Sequence, residues 1–427
     1  VERFIIEGGN ALNGTITPSG NKNAALPLLA AVLLTNETVI LDNIPQIGDV
    51  MNKINLLRKL GVAVERLGDH RWQFNAADIG DSQPDVALSR SIRTSILLAG
   101  PLLARRGHVV LPRPGGDVIG RRRLDTHFLA LLGLGAELET TPTTYVLRAQ
   151  QLKGADLFLD EMSVTGTEQA ILAAVLATGT TTISNAASEP HVQDLCNFLN
   201  VLGAKISGIG TNQLVIEGVS SLGGGTYSIG PDFMEVVSFI GLAAVTKSAL
   251  RIRDARPRDH RMSRIALGRL GVTWQDDGND IVVPADQELV VREDLHGAIP
   301  KIESMPWPGF NPDLISVAIV VATQARGTVL IHEKLFESRL FFVDRLIGMG
   351  ARIVLCDPHR VVVAGPSQLY GEPDGMPSPD IRAGMALLIA ALCAKGKSVI
   401  YNIGQIDRGY ERIDERLRSL GANIERV

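Results

Sequence analysis

Six times along the chain an amphipathic stretch closes on an apolar residue, a glycine and then alanine or valine. The six are Leu60-Gly61-Val62, Leu134-Gly135-Ala136, Leu202-Gly203-Ala204, Leu270-Gly271-Val272, Met349-Gly350-Ala351 and Leu420-Gly421-Ala422. Their spacing is roughly 70 residues, longer than a solenoid period. Glycine just past the last helical turn accepts the left-handed conformation that ends a helix. A β-like run follows each time: VAVERL, AELET, AKISGI, VTWQDD, ARIVLC and ANIERV. Such a chain repeats one structural unit six times.

Each amphipathic helix has an upstream companion that is apolar nearly all round. These are KNAALPLLAAVLL, IRTSILLAGPLLA, TGTEQAILAAVLA, PDFMEVVSFIGLAAV, NPDLISVAIVVATQA and SPDIRAGMALLIAALCA. A helix without a polar face belongs inside a domain. Short β-type runs follow (TVILDN, HVVLPR, TTTISN, ALRIRD, TVLIHE, SVIYNI). Each unit therefore reads as buried helix, strand, exposed helix and β-hairpin, with helices inside and sheets outside.

The first residues of the buried helices fall into two classes. The last three begin Pro231-Asp232, Pro312-Asp313 and Pro379-Asp380, and the first three offer Lys22-Asn23, Arg93-Thr94 and Thr165-Gly166-Thr167. Pro and Asp are also ordinary helix starters, so capping is the plain reading for Asp232. The split, three units of each kind, argues for two homologous domains: residues 21–230, then residues 1–20 together with 231–427. An active site is expected in the cleft between them, where helix N-termini attract anions. With 427 residues the chain is long enough for two such domains.

The densest chemistry lies in LPRPGGDVIGRRRLDTH, residues 111–127. A Pro-Gly-Gly turn presents Asp117, and Arg121, Arg122 and Arg123 follow at once. Guanidiniums beside one carboxyl group suit an anionic substrate that also needs a proton donor. A solvated surface loop is the plainer alternative.

Composition removes several functions. A net charge of −4 gives no general drive toward nucleic acid or an anionic membrane. The longest apolar runs fall short of the roughly 18–20 residues that span a bilayer. No basic segment followed by an apolar one opens the chain, so no signal peptide is expected. Cys196, Cys356 and Cys393 form no CxxC pair and read as reduced, mostly buried residues of a cytoplasmic protein. The histidines show no metal spacing, so neither a metal nor another cofactor is expected. The oligomeric state stays open.

SGNKNAALP (19–27), IRTS and GPLLARRG (within 92–107), PGGDVIGRRRLDTH (114–127), SVTGTE (163–168), FESR (336–339) and IDRGYERIDERLRSLGANIERV (406–427) together give a specific match. By them the chain resembles the enolpyruvyl transferases, in the branch that uses UDP-N-acetylglucosamine. The resemblance runs from the first strand to the last residue. It implies a two-domain inside-out α/β barrel of six βαβαββ repeats, three per domain, with the first strands joining the second domain. It implies transfer of the enolpyruvyl group of phosphoenolpyruvate to the sugar 3′-hydroxyl by addition and elimination, with release of phosphate, as the first committed step of peptidoglycan synthesis. The small-molecule partners are then phosphoenolpyruvate and UDP-N-acetylglucosamine, and no cofactor is used.

The same resemblance implies residue roles. Lys22, Arg93, Arg122 and Arg408 form a cationic clamp around phosphoenolpyruvate. Asn23 and Asp313 position and deprotonate the sugar hydroxyl, and Asp117 supplies the proton for carbon. Arg122, Leu124, Asp125, Ser163, Val164 and Thr165 line the nucleotide pocket, while Arg339 of FESR and Asp380 of SPDIRA complete the binding set. Many members carry cysteine where this chain has Asp117, so resistance to fosfomycin is expected. Arg123 stands where proline is frequent, Thr165 where many members have glycine, and MPWPGFNPD (305–313) is an unusual approach to Asp313. The competing readings are a paralogue with another nucleotide acceptor, the sister synthase acting on shikimate 3-phosphate, and a non-catalytic binder of UDP-sugar.

Overall fold

A computed structural model describes residues 2–80, 83–115 and 123–427, and the statements below concern those residues. All six glycines of the repeat end their helices at positive φ: 94° at Gly61, 94° at Gly135, 101° at Gly203, 88° at Gly271, 103° at Gly350 and 97° at Gly421. A side chain with a Cβ would be strained at each, so the glycine is what lets the chain turn from helix into strand.

The strands form six small sheets, one per repeat: five of four strands and one of three. In the first repeat Val39–Asp42 pairs antiparallel with Arg71–Asn75, which pairs antiparallel with Ala63–Gly68. A further strand, Gly225–Ser228, lies parallel to Val39–Asp42 and completes the sheet. The opening strands join distant repeats. Arg3–Gly8 lies between Gly396–Tyr401 and Asn423–Arg426, and Asn13–Ile16 runs parallel to Ala249–Ile252. The sheet containing His108–Pro112 has no parallel fourth strand and is the three-stranded one.

The chain divides into two compact units. One holds the residues up to Ser19 with Pro231–Val427, and the other holds the described residues from Gly20 to Gly230. Each has its own apolar core. In the first, every residue of the helix Phe233–Val245 is buried, as are nearly all of Ile315–Gln324 and Ile381–Cys393. Burial of a Leu, Ile or Val side chain contributes roughly 1.5–3 kcal/mol, which is why these helices lack a polar face. Gly241 permits close approach, since a Cβ there would meet Val317 Cγ1 at 2.5 Å.

The other unit departs from six uniform buried helices. The stretch expected to be one helix after Ile92 is a 3₁₀ segment, Arg93–Leu98, followed by the α-helix Ala99–Arg106. Pro101 explains the break: it has no N–H for the carbonyl four residues back, and its ring crowds that carbonyl. Cys356 also departs from expectation. Cys196 is buried and Cys393 partly so, but Cys356 is exposed on the outer face of the strand Ile353–Asp357. No described helix is long and apolar enough to cross a membrane.

Candidate active site

In the unit that begins at Gly20, Lys22 is the first residue of the helix Lys22–Ala31. Asn21 caps that helix, its side chain accepting from the N–H groups of Asn23 (2.8 Å) and Ala24 (3.2 Å). Lys22 is 7% exposed, and its Nζ lies 2.8 Å from Asp49 Oδ2. Asp49 comes from the first turn of the helix Gly48–Lys59. A buried ammonium needs such a partner, and here it stands at the positive end of a helix dipole. The arrangement suits a phosphate or carboxylate.

Arg93 opens the 3₁₀ segment, and its Nη2 donates to the carbonyl of Arg123 at 2.9 Å. Arg123 is ion-paired with Asp125, Nε to Oδ2 at 2.9 Å, and both are exposed. A cavity of about 800 Å³ opens beside them, lined among others by Arg93, Leu124, Asp125, Phe128 and Tyr145. The chain thus brings three expected binding residues to one wall. Ser163 caps the helix Val164–Ala174 by accepting from Gly166 N–H at 3.1 Å, and Val164 is half-buried at its start. Thr165 Oγ1 lies 2.8 Å from Nε2 of the buried His127. A glycine at 165 could not make that bond, which gives the departure at this position a structural role.

In the unit that holds the C-terminus, Asp313 sits in a 3₁₀ turn, Pro312–Leu314, whose cap Asn311 accepts from the Asp313 N–H at 2.8 Å. Its carboxylate is held from two sides. Arg339 Nη2 donates to Oδ1 at 2.7 Å and Arg382 Nε to Oδ2 at 3.2 Å. The two arginine side chains are 4% and 7% exposed, and that of Asp313 is 22% exposed. Asp380 caps the helix Ile381–Cys393, accepting from the N–H groups of Arg382 (2.7 Å) and Ala383 (2.9 Å). Asp232 caps Phe233–Val245 in the same way, which is the plain reading of that residue. Burial pushes the Asp232 carboxyl up to about 6, opposed by the positive charge of Arg382. Arg408 is half-buried, with Nη1 donating to Gln405 Oε1 at 2.8 Å. Asn23 is half-buried beside Lys22. Asp117, Arg121 and Arg122 lie outside the described residues.

Arg382 escaped the sequence reading, although it is a charge in the first turn of an apolar helix, as Lys22 is. Beyond Asp313 it donates to Tyr410 Oη at 3.1 Å and reaches Met234 Sδ at 3.0 Å. Asp49 was missed as well. Its signal was a charged residue in the buried register of an otherwise amphipathic helix.

Sheets of one repeated unit around buried helices, with cationic helix starts in one unit and an arginine-held aspartate in the other, define the enolpyruvyl-transferase class. The chain belongs to this family: the model for EPSP synthase (3-phosphoshikimate 1-carboxyvinyltransferase) matches residues 6–417. Among full-length relatives, the UDP-N-acetylglucosamine 1-carboxyvinyltransferase of Treponema denticola is 57% identical, covering 100% of this chain and 99% of its own length. The enzyme of the same name from Bradyrhizobium diazoefficiens is also 57% identical, over 100% of this chain and 98% of its own. Among solved structures, the enolpyruvyl transferase NikO from Streptomyces tendae superposes with a TM-score of 0.88 at 25% identity, covering 100% of this chain and 99% of that one. EPSP synthase from Acinetobacter baumannii, at 18% identity, covers 100% of both chains with a TM-score of 0.77 and shares the fold.

Proposed function

We propose that the protein transfers the enolpyruvyl group of phosphoenolpyruvate to the 3′-hydroxyl of UDP-N-acetylglucosamine, releasing phosphate. The observation that carries this reading is the Lys22–Asp49 arrangement, a buried ammonium at a helix N-terminus. It occurs in a chain 57% identical from end to end to an enzyme named for that transfer.

Asp313 accepts the proton of the attacking sugar hydroxyl, with Asn23 orienting that hydroxyl. The new bond joins the sugar oxygen to C2 of phosphoenolpyruvate, and Asp117 delivers a proton to C3. Elimination then takes a proton back from C3 and expels phosphate from C2. Lys22, Arg93, Arg122 and Arg408 hold the phosphate and carboxylate, where charge-assisted hydrogen bonds are strongest. Leu124, Asp125, Ser163, Val164 and Thr165 take the nucleotide. Arg339 fixes Asp313, and Asp380 orders the helix start two residues before Arg382. The residues of the two units serve one reaction, with the domains taken as 21–230 and as 1–20 plus 231–427. A cytoplasmic location, where both substrates are made, belongs to this reading, as does fosfomycin resistance through Asp117.

Phosphate release measured with phosphoenolpyruvate and either UDP-N-acetylglucosamine or shikimate 3-phosphate tests the assignment. Turnover with the nucleotide sugar alone is expected. Turnover with shikimate 3-phosphate alone would transfer the chain to the sister activity, and binding without turnover would make it a non-catalytic relative.

A further inference from the structure

We propose that Lys53 is a positioning residue for Arg93, acting through the carbonyl of Thr94. The inference rests on the reading of Arg93 as a phosphoenolpyruvate contact. Lys53 is fully buried on the helix Gly48–Lys59, one turn beyond Asp49, so the two side chains leave the same face. Asp49 meets Lys22, and Lys53 Nζ donates to the Thr94 carbonyl at 2.8 Å. One helix therefore holds the start of two others, each start carrying a cation of the clamp.

The Arg93 segment needs such a pin more than an α-helix would. It is 3₁₀, with poorer hydrogen-bond geometry, because Pro101 withholds the donor that would continue the next helix backward. The carbonyl that Lys53 grips belongs to the residue after Arg93. A shift of Thr94 would carry the Arg93 backbone with it and draw the guanidinium from the Arg123 carbonyl, 2.9 Å from Nη2, and from the cavity wall it shares with Leu124 and Asp125.

A methionine would fill the same space without the cost of burying an ammonium, so packing alone does not account for the charge. The acidic group that acts on it electrostatically is Glu168, on the helix Val164–Ala174 and 1% exposed. Burial pushes Lys53 down to about 7, and the Glu168 carboxylate opposes that fall. Glu168 is itself held well above the usual carboxylate range by burial and then by the neighbouring Glu189, with Lys53 acting the other way. Its Oε1 makes no hydrogen bond among the described residues. The hydrogen bond formed by this buried pair is thus the one to the Arg93 turn.

The test is a double-mutant cycle on the full chain, read as KM for phosphoenolpyruvate, KM for UDP-N-acetylglucosamine, kcat and thermal midpoint. Lys53→Met is combined with Glu168→Gln, so that no charge is left buried alone. Arg93→Ala should raise KM for phosphoenolpyruvate about tenfold or more. The Lys53/Glu168 variant should raise the same KM about threefold to tenfold and leave KM for the nucleotide sugar near its starting value. Added to Arg93→Ala it should change nothing further, because the residue it positions is gone. Fold-changes that multiply would assign Lys53 a merely structural role and overturn the proposal. So would an unchanged KM in the Lys53/Glu168 variant. An unchanged KM in Arg93→Ala would instead show that Arg93 is no substrate contact and remove the basis of the inference. Should the paired change prevent folding, Lys53→Gln takes its place in the same cycle. It keeps an N–H for the Thr94 carbonyl on a shorter stem, so a smaller shift in the same KM is expected, and no shift would overturn the proposal.

Discussion

Asp313→Asn perturbs both the chemistry and the packing attributed to this residue, and the two effects separate in magnitude. The carboxylate faces Arg339 at 2.7 Å and Arg382 at 3.2 Å, one oxygen to each. Asparagine offers one acceptor oxygen and one NH₂ group. One arginine keeps a neutral partner, and the other meets a donor with a donor. Both guanidiniums are almost wholly buried, so neither can turn to bulk water. Removing one partner of a buried ion pair costs about 3–5 kcal/mol. Asp313 itself is 22% exposed, and Arg382 keeps Tyr410 at 3.1 Å. Those two facts discount the loss to about 2–4 kcal/mol. Loss of a general base should slow turnover by about 10²–10⁴-fold. Urea unfolding followed by circular dichroism reads the first effect, and phosphate release at saturating substrates reads the second. A variant of unchanged stability and near-normal turnover would refute both roles. One that is stable but inactive would keep the base and refute the energetic account of the arginine pair.

Lys22→Gln should lose a charge-assisted contact worth about 1.5–3 kcal/mol, seen as a large fall in turnover while calorimetric binding of UDP-N-acetylglucosamine stays intact. Asp117→Asn should be nearly inactive, whereas Asp117→Cys should retain activity and gain time-dependent inactivation by fosfomycin; rapid inactivation of the native chain would contradict the role given to Asp117. The Asp232 carboxyl, raised by burial to about 6, favours the folded state when protonated. Its stabilising contribution is therefore complete below its unfolded value and is lost as pH rises through about 6. Asp232→Asn keeps the cap acceptor without the charge, so its unfolding free energy should gain on the native chain by about 2–3 kcal/mol between pH 4 and pH 8. A difference independent of pH would show that Asp232 does not titrate in this range.

The repeat was legible because a helix end needs a left-handed residue and glycine supplies it at little cost. Six such glycines at even spacing report the fold through purely local physics. Lys22 was legible for a similar reason, being a charge at the head of an apolar helix. Arg382 carries the same signal, but an arginine two residues after a capping Asp is also what an exposed first turn would show. What no local pattern reveals is partnership. Asp313 is bonded to residues 26 and 69 positions away. Lys53 meets a carbonyl 41 positions away. Such pairings are fixed by how repeats pack on one another, and a sequence pattern of period two or 3.6 does not encode them. The 3₁₀ start at Arg93 is a milder case, since Pro101 was visible but the helix was expected to run through it.

Enolpyruvyl transfer to the nucleotide sugar requires cleavage between C2 and the bridging oxygen of phosphoenolpyruvate. Phosphoenolpyruvate labelled with ¹⁸O at the oxygen joining C2 to phosphorus tests it directly, with both products read by mass spectrometry. The account predicts UDP-N-acetylglucosamine carrying an unlabelled enolpyruvyl ether and phosphate that holds all of the label. Label retained in the sugar product, or phosphate released without any enolpyruvyl sugar, would contradict it.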